Sequence, residues 1–175
     1  NSVNENFSEP AVLSKNIPDG FYCSTLTGDE LTMYLAKYGE IYVSKRKDLK
    51  SDFSKPEMVK GLVAGFKFAP AISPDGNELI FLRDSFQNKD VTYVYKKINE
   101  KEFVQTGTMT HPIGLLTPGQ FSKDGLSYYT SYETHDAKNK FEIETGSGIE
   151  QTMIKYTRKA LGDIFETIEE LPVAA

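Results

Sequence analysis

The residues that could do chemistry are few and poorly placed for it. A serine nucleophile on a strand-to-helix elbow needs Gly-x-Ser-x-Gly, which exposes the hydroxyl on a sharp turn. Gly146-Ser147-Gly148 lacks that spacing and sits in a polar stretch. His111 and His135 are the two histidines, far apart in sequence and without the paired spacing of a zinc-binding helix. His135-Asp136 falls in a polar segment, where a solvated side chain is the plainer reading. His111-Pro112 reads as a connection between strands, with a structural role ahead of a catalytic one. Asp75-Gly76-Asn77-Glu78 has a faint likeness to a calcium loop, but not the alternating oxygen ligands or terminal Glu of an EF-hand. Glu133, Asp136, Glu142 and Glu144 could gather a cation, although scattered surface charge explains them as well. Walker-type and dinucleotide-binding loops are absent. The reading is therefore of no catalytic residues, no metal ligands and no cofactor.

Composition narrows the partners. The 175-residue chain carries a net charge of −5, which argues against nucleic acid as a partner. The basic run Lys45, Arg46, Lys47 and Lys50 is the local exception and reads as a solvated loop. Cys23 is the single cysteine, so an intrachain disulfide and a cysteine-built zinc site are both excluded. No stretch approaches the roughly 18 consecutive apolar residues of a membrane-spanning helix, so the chain is read as not membrane-spanning. Asn6-Phe7-Ser8 matches a glycosylation sequon, which matters only in a eukaryotic secretory route. The chain begins at Asn1 rather than Met, as expected of a processed product or a piece of something longer.

The organising signal is an internal repeat. Phe7-Ser8-Glu9-Pro10 recurs as Phe53-Ser54-Lys55-Pro56. The turn Thr27-Gly28-Asp29-Glu30 recurs as Ser73-Pro74-Asp75-Gly76 and again as Ser122-Lys123-Asp124-Gly125, each preceded by an apolar residue and followed by an apolar run. Arg46-Lys47-Asp48-Leu49 through Phe53 matches Arg158-Lys159-Ala160-Leu161 through Phe165 without gaps.

An Asp side chain can accept backbone amides within its own turn, and Gly supplies a positive φ without steric cost. Asp29, Asp75, Gly76, Asp124 and Gly125 are thus read as structural turn residues. A turn former is expected in every repeat, whereas an active site is rarely copied three times.

Each unit parses into four strands. The first begins at Phe7, Phe53 or Phe103. The second runs Phe21–Leu26, Phe68–Ile72 or Leu115–Phe121, and the third Leu31–Ala36, Glu78–Arg83 or Leu126–Tyr132. The fourth is Glu40–Lys45, Val91–Lys96 or Gln151–Thr157. The repeats span approximately 7–52, 53–102 and 103–164, with a final strand at 165–171 and a polar insertion at roughly 134–148 in the third. Leu161, Ile164, Phe165, Ile168 and Leu171 carry helical spacing, but the gapless match to residues 46–59, which include Pro56, favours loop and strand.

Ile72-Ser73-Pro74-Asp75-Gly76, Phe121-Ser122-Lys123-Asp124-Gly125, and Glu40–Arg46 with the Phe-x-x-Pro start that follows resemble the TolB-type β-propeller repeat across essentially the whole chain. The fold class that this implies is all-β: three four-stranded antiparallel propeller blades, of a kind that a six- to eight-bladed ring could include. A closed propeller normally has about four to eight blades. Three would leave apolar sheet faces open. The expectation is then a piece of a longer chain, or a homodimer that completes a six-bladed ring, with the spare strand at Phe7–Leu13 or Phe165–Leu171 pairing across the boundary.

The resemblance implies a periplasmic or extracellular location and a binding or scaffold role toward a protein or glycan partner. Tyr38, His111 and His135, with the 133–148 insertion, would meet the ligand at one propeller mouth. A carbohydrate-active propeller (lyase or glycosidase) and the accessory propeller of a larger peptidase are the alternatives. The former would need convergent histidines and carboxylates, for which two histidines are few.

Overall fold

The computed structural model describes residues 14–83, 91–99, 101–109, 115–116, 119–135 and 149–171. Among them there is no helix. Three antiparallel sheets follow one another along the chain. The first contains β1 (Tyr22–Leu26), β2 (Thr32–Lys37), β3 (Glu40–Lys45) and β4 (Glu57–Met58). The second contains β5 (Lys67–Ile72), β6 (Glu78–Arg83), β7 (Val91–Asn99) and β8 (Glu102–Met109). The third contains β9 (Leu115–Leu116), β10 (Gln120–Phe121), β11 (Ser127–His135), β12 (Ile149–Thr157) and β13 (Thr167–Leu171). There β9 and β10 both pair with β11, as two segments of one interrupted inner strand.

Strand alternation explains the stacking. In a strand, successive side chains point to opposite faces. Tyr34 and Ala36 of β2 face the second sheet, where they join Leu79 and Phe81 of β6 in one core with Ile41, Val43, Tyr95 and Phe103. Ile80 of β6 faces the other way, into a core with Ala71, Met109, Phe121, Tyr128, Ile154 and Tyr156 from the second and third sheets. The middle sheet is therefore covered on both faces, and the run Leu79-Ile80-Phe81-Leu82 is completely buried. This is why β6 reads as a continuous apolar run rather than an alternating one.

The structure redraws several sequence expectations. The segments that begin at Phe53, Phe103 and Phe165 close the sheet before them: β4 pairs with β3, β8 with β7, and β13 with β12. The sheets are thus one strand out of phase with the units read from sequence. Phe53 itself lies outside any strand but is fully buried against Met33 and Leu35.

β11 and β12 are longer than expected, so Thr134 and His135 belong to a strand pair rather than to an insertion loop. Residues 158–166 form a turn-rich loop and 167–171 a strand, as the match to 46–59 implied. Leu161, Ile164 and Ile168, which gave the helical spacing, are all exposed. The segment Phe7–Leu13 lies outside the described residues.

The two end faces differ from the expected pair of bare apolar surfaces. On the first sheet, Ile17 and Phe21 pack over Met33, Leu35 and Phe53. Ser14 and Asn16 donate from their side chains to the Phe53 carbonyl at 3.2 and 2.8 Å. On the third sheet, the register positions matching Tyr34, Ala36, Ile41 and Val43 hold Tyr129, Ser131, Met153 and Lys155. Only Met153 there is strongly apolar, and Lys155 pairs with Glu169 at 3.8 Å.

Candidate functional site

The inner strands of the three sheets converge on one groove. Those of the first two sheets carry a bulge at the same place, where two residues oppose one and the strand bends, and the third has the same offset in register. In β1 the register shifts between Tyr22 and Ser24, and in β5 between Phe68 and Ala71. In the third sheet Leu116 opposes Tyr132 while Gln120 opposes Tyr129, four steps against three. The bulged residues Cys23 and Ala69 both have positive φ, 49° and 52°.

Two adjoining hollows follow from this bending, of about 430 and 480 Å³. Ser24, Thr25, Leu26, Pro70, Gly119 and Gln120 line the first with Cys23, which is exposed. Thr25, Leu26 and Gln120 continue into the second, which opens among Gly28, Glu30, Pro74 and Lys123 of the three turns. Ser24, Pro70 and Gly119 each immediately precede the equivalent pairs Thr25↔Tyr34, Ala71↔Ile80 and Gln120↔Tyr129, so one small residue from each sheet lines the groove. The groove is held across the first interface by Gly28 N–H donating to Pro74 O at 2.8 Å, and by Ile72 N–H donating to Thr25 Oγ1 at 3.3 Å.

The Asp turns that rim this groove are built alike three times. Thr27, Ser73 and Ser122 donate from the hydroxyl to Asp29, Asp75 and Asp124 Oδ1, at 2.6, 2.6 and 2.5 Å. The same carboxylate oxygens accept the amides of Leu31, Asn77 and Leu126 at 3.0, 3.1 and 3.0 Å. These bonds hold the Asp29 and Asp124 carboxyls below the usual carboxylate range, the hydroxyl contributing most and the amide next. At Asp75 burial opposes ionisation and is the largest single effect, but the bonds from Ser73 and Asn77 together outweigh it, so its pKa is also lowered. Each carboxylate thus accepts bonds from within its own turn.

The fourth member of each turn sits at positive φ: Gly76 at 73°, Gly125 at 71°, and Glu30 at 59°. Arg46 Nε donates to the Glu30 carbonyl and Arg158 Nε to the Gly125 carbonyl, both at 2.9 Å. Arg46 then lies over Phe53 at 4.7 Å from the ring centroid, and Arg158 over Phe165 at 4.8 Å. The gapless sequence match thus corresponds to one repeated contact.

The three residues expected at a mouth do not line the described groove. Tyr38 is in the two-residue β2–β3 turn, at φ 51° and 80% exposed, at the end of β2 remote from the Asp29 turn. His135 ends β11 opposite Ile149, at the corresponding end of its own sheet. His111 lies outside the described residues. Among those residues no three His, Cys, Asp or Glu side chains group as a metal site would, and no helix is long and apolar enough to cross a membrane.

No family model and no curated protein matches this sequence. Solved structures do match. TolB from Acinetobacter baumannii aligns over 87% of this chain and 32% of its own, with TM-score 0.51 and 16% identity. The fold is that of a TolB-like β-propeller. Hydrazine synthase from Kuenenia stuttgartiensis is similar at TM-score 0.50 and 17% identity, over 86% of this chain and 41% of that one. A chain from Bacteroides uniformis ATCC 8492, assigned provisionally as a 6-phosphogluconolactonase, is similar at TM-score 0.50 and 13% identity, over 90% and 43%. The TolB-like chain described here spans less than half the length of each of these neighbours. At such identities the likeness is one of fold, and the functions of the three proteins differ from one another.

Proposed function

We propose that this chain is a non-catalytic binding module, part of a propeller that holds a protein or glycan partner in the axial groove, in the periplasm or at the cell surface. The observation that carries the reading is that Ser24, Pro70 and Gly119, each just before an equivalent pair of its own sheet, line one open groove. Its described lining combines small polar side chains with the apolar Leu26, Pro70 and Pro74, and with one acid, Glu30, and one base, Lys123, at the turn end. Such a surface offers hydrogen bonds and shape, and little field to steer a strongly charged ligand such as nucleic acid. Tyr38 and His135 are proposed to meet the same partner at the opposite mouth, and His111, outside the described residues, is proposed as a further contact. Of the carboxylates at the groove, those of Asp29, Asp75 and Asp124 are engaged within their turns and that of Glu30 lies 3.5 Å from Arg46, which leaves the lyase and glycosidase reading without a supporting observation.

Ser24 is exposed and lines the groove, so Ser24→Trp should fill it without entering a core. Soluble peptidoglycan fragments and purified envelope proteins, each titrated against the immobilised chain, separate glycan from protein partners. Saturable binding that weakens at least about tenfold in Ser24→Trp supports the proposal. Binding equally strong in the wild type, Ser24→Trp and Tyr38→Ala would refute it.

A further inference from the structure

The three outermost strands are not equally protected. A sheet edge presents unpaired backbone groups and invites another strand unless charge, proline or brevity prevents it. β4 is two residues long and directly follows Pro56. β13 carries Glu169 and Glu170 along its five residues. β8 is eight residues long and has no charged or proline residue between Phe103 and Met109. It is the terminal strand of its sheet, and no strand among the described residues pairs with its far side.

One rung of that edge is already occupied by backbone. Lys60 forms a parallel bridge with Glu102. Its amide donates to Lys101 O at 2.8 Å and its carbonyl accepts from Phe103 N–H at 3.3 Å. Gly61 then turns the chain at φ 78°. The rest of β8 flanks a cleft of about 270 Å³ between the second and third sheets, with Val94, Met109, Ile164 and Phe165 as its apolar lining and Glu78, Lys96 and Asp163 as its charged lining; Glu78 is paired with Arg158, and Lys96 donates to the Gly162 carbonyl. That volume is below the usual range for a whole small-molecule ligand and suits one or two side chains.

We propose that the β8 edge is a strand-addition site for an extended, uncharged segment of another protein, one apolar side chain of which enters the cleft. Backbone pairing would supply the affinity and the cleft the selectivity. A second copy of this chain fits less well. Between Phe103 and Met109 an identical strand offers one apolar side chain, the small Val104, beside Gln105, Thr106, Gly107 and Thr108, which suits the apolar part of the cleft less well than a larger aliphatic residue. The site is separate from the axial groove, and its test does not depend on the groove.

The probe is a capped, fluorescein-labelled heptapeptide of alternating threonine and leucine, with a backbone N-methylated version as control. Saturable binding of the first and none of the second is expected. A Cβ added at Gly107 meets nothing within 4 Å, so Gly107→Phe should fold and fill the cleft. It should weaken binding by about tenfold or more, the loss expected from one unburied apolar side chain. Amide exchange on the wild-type protein provides a check that needs no variant: the probe should slow exchange within 103–109. Absence of saturable binding, equal binding of the N-methylated probe, or slowed exchange in β1 and β5 instead of β8 would each overturn the proposal.

Discussion

Arg158, at the end of β12, forms a buried ion pair with Glu78, at the head of β6 in the neighbouring sheet. The arginine is fully shielded and the glutamate nearly so, and Arg158 also donates twice to the Gly125 carbonyl, at 2.9 and 2.7 Å. Removing one member strands the other, which typically costs about 3–5 kcal/mol. Arg158→Met is predicted to lose that much in urea unfolding, and the double substitution with Glu78→Gln to lose less. Arg46 occupies the equivalent place in the first sheet, but its carboxylate partner, Glu30, is 61% exposed and 3.5 Å away. Arg46→Met should cost only about 1–2 kcal/mol, mainly through the turn carbonyl and Phe53.

The three turns differ at their left-handed residue. Glu30 holds φ 59° where the other copies have glycine. For a residue with a side chain this conformation costs roughly 1–2 kcal/mol, while glycine loses about 0.5–1 kcal/mol more backbone entropy on folding. Glu30→Gly is therefore predicted to stabilise by about 0.5–1 kcal/mol. Gly125→Ala should do the opposite by at least about 1–2 kcal/mol, because its Cβ would also lie 2.8 Å from Leu161. Urea midpoints of the two variants test both signs.

Acid should expose the turn carboxylates. Asp29, Asp75 and Asp124 are lowered from 3.8 in the folded chain. The unfolded chain takes up their protons first, so their stabilisation is complete above that value and is lost as pH falls below it. An Asn side chain can accept the same bonds without titrating. A triple Asp→Asn variant is predicted to hold its urea midpoint across pH 4 to 2 better than the wild type does.

Base should act through two buried phenols. Burial pushes Tyr156 up to about 12, and burial with Tyr156 alongside pushes Tyr128 higher still, against the pull of the Gly119 amide. The folded chain keeps protons that the unfolded chain releases near pH 10. The contribution is full below that pH and fades as pH rises through 12. Tyr128→Phe is predicted to flatten this alkaline loss in urea titrations between pH 9 and 12.

Local chemistry was legible in the sequence, and non-local pairing was not. Asp75 and Gly76 declare their turn because the constraint lies within five residues, and the Arg46–Phe53 and Arg158–Phe165 match marks one contact made twice. The phase of the sheets was hidden because only pairing distinguishes the last strand of one sheet from the first of the next. Cys23 and Ala69 gave no sign of their bulges, since neither is a residue that favours positive φ. Ser24, Pro70 and Gly119 share no chemistry beyond small size, so their residue types gave no sign that they line one groove. The repeat alignment that placed the turns would have placed them too, had it been extended a few residues upstream of each Asp.

Cys23 gives the most direct test of the axial groove as the binding face, because it is the only thiol and lines the groove. Its alkylation by iodoacetamide can be followed by intact mass, with and without a saturating amount of whichever peptidoglycan fragment or envelope protein binds the chain. The account predicts that bound partner slows Cys23 modification by about tenfold or more, and that Ser24→Trp abolishes this protection. An unchanged rate at full occupancy would contradict it.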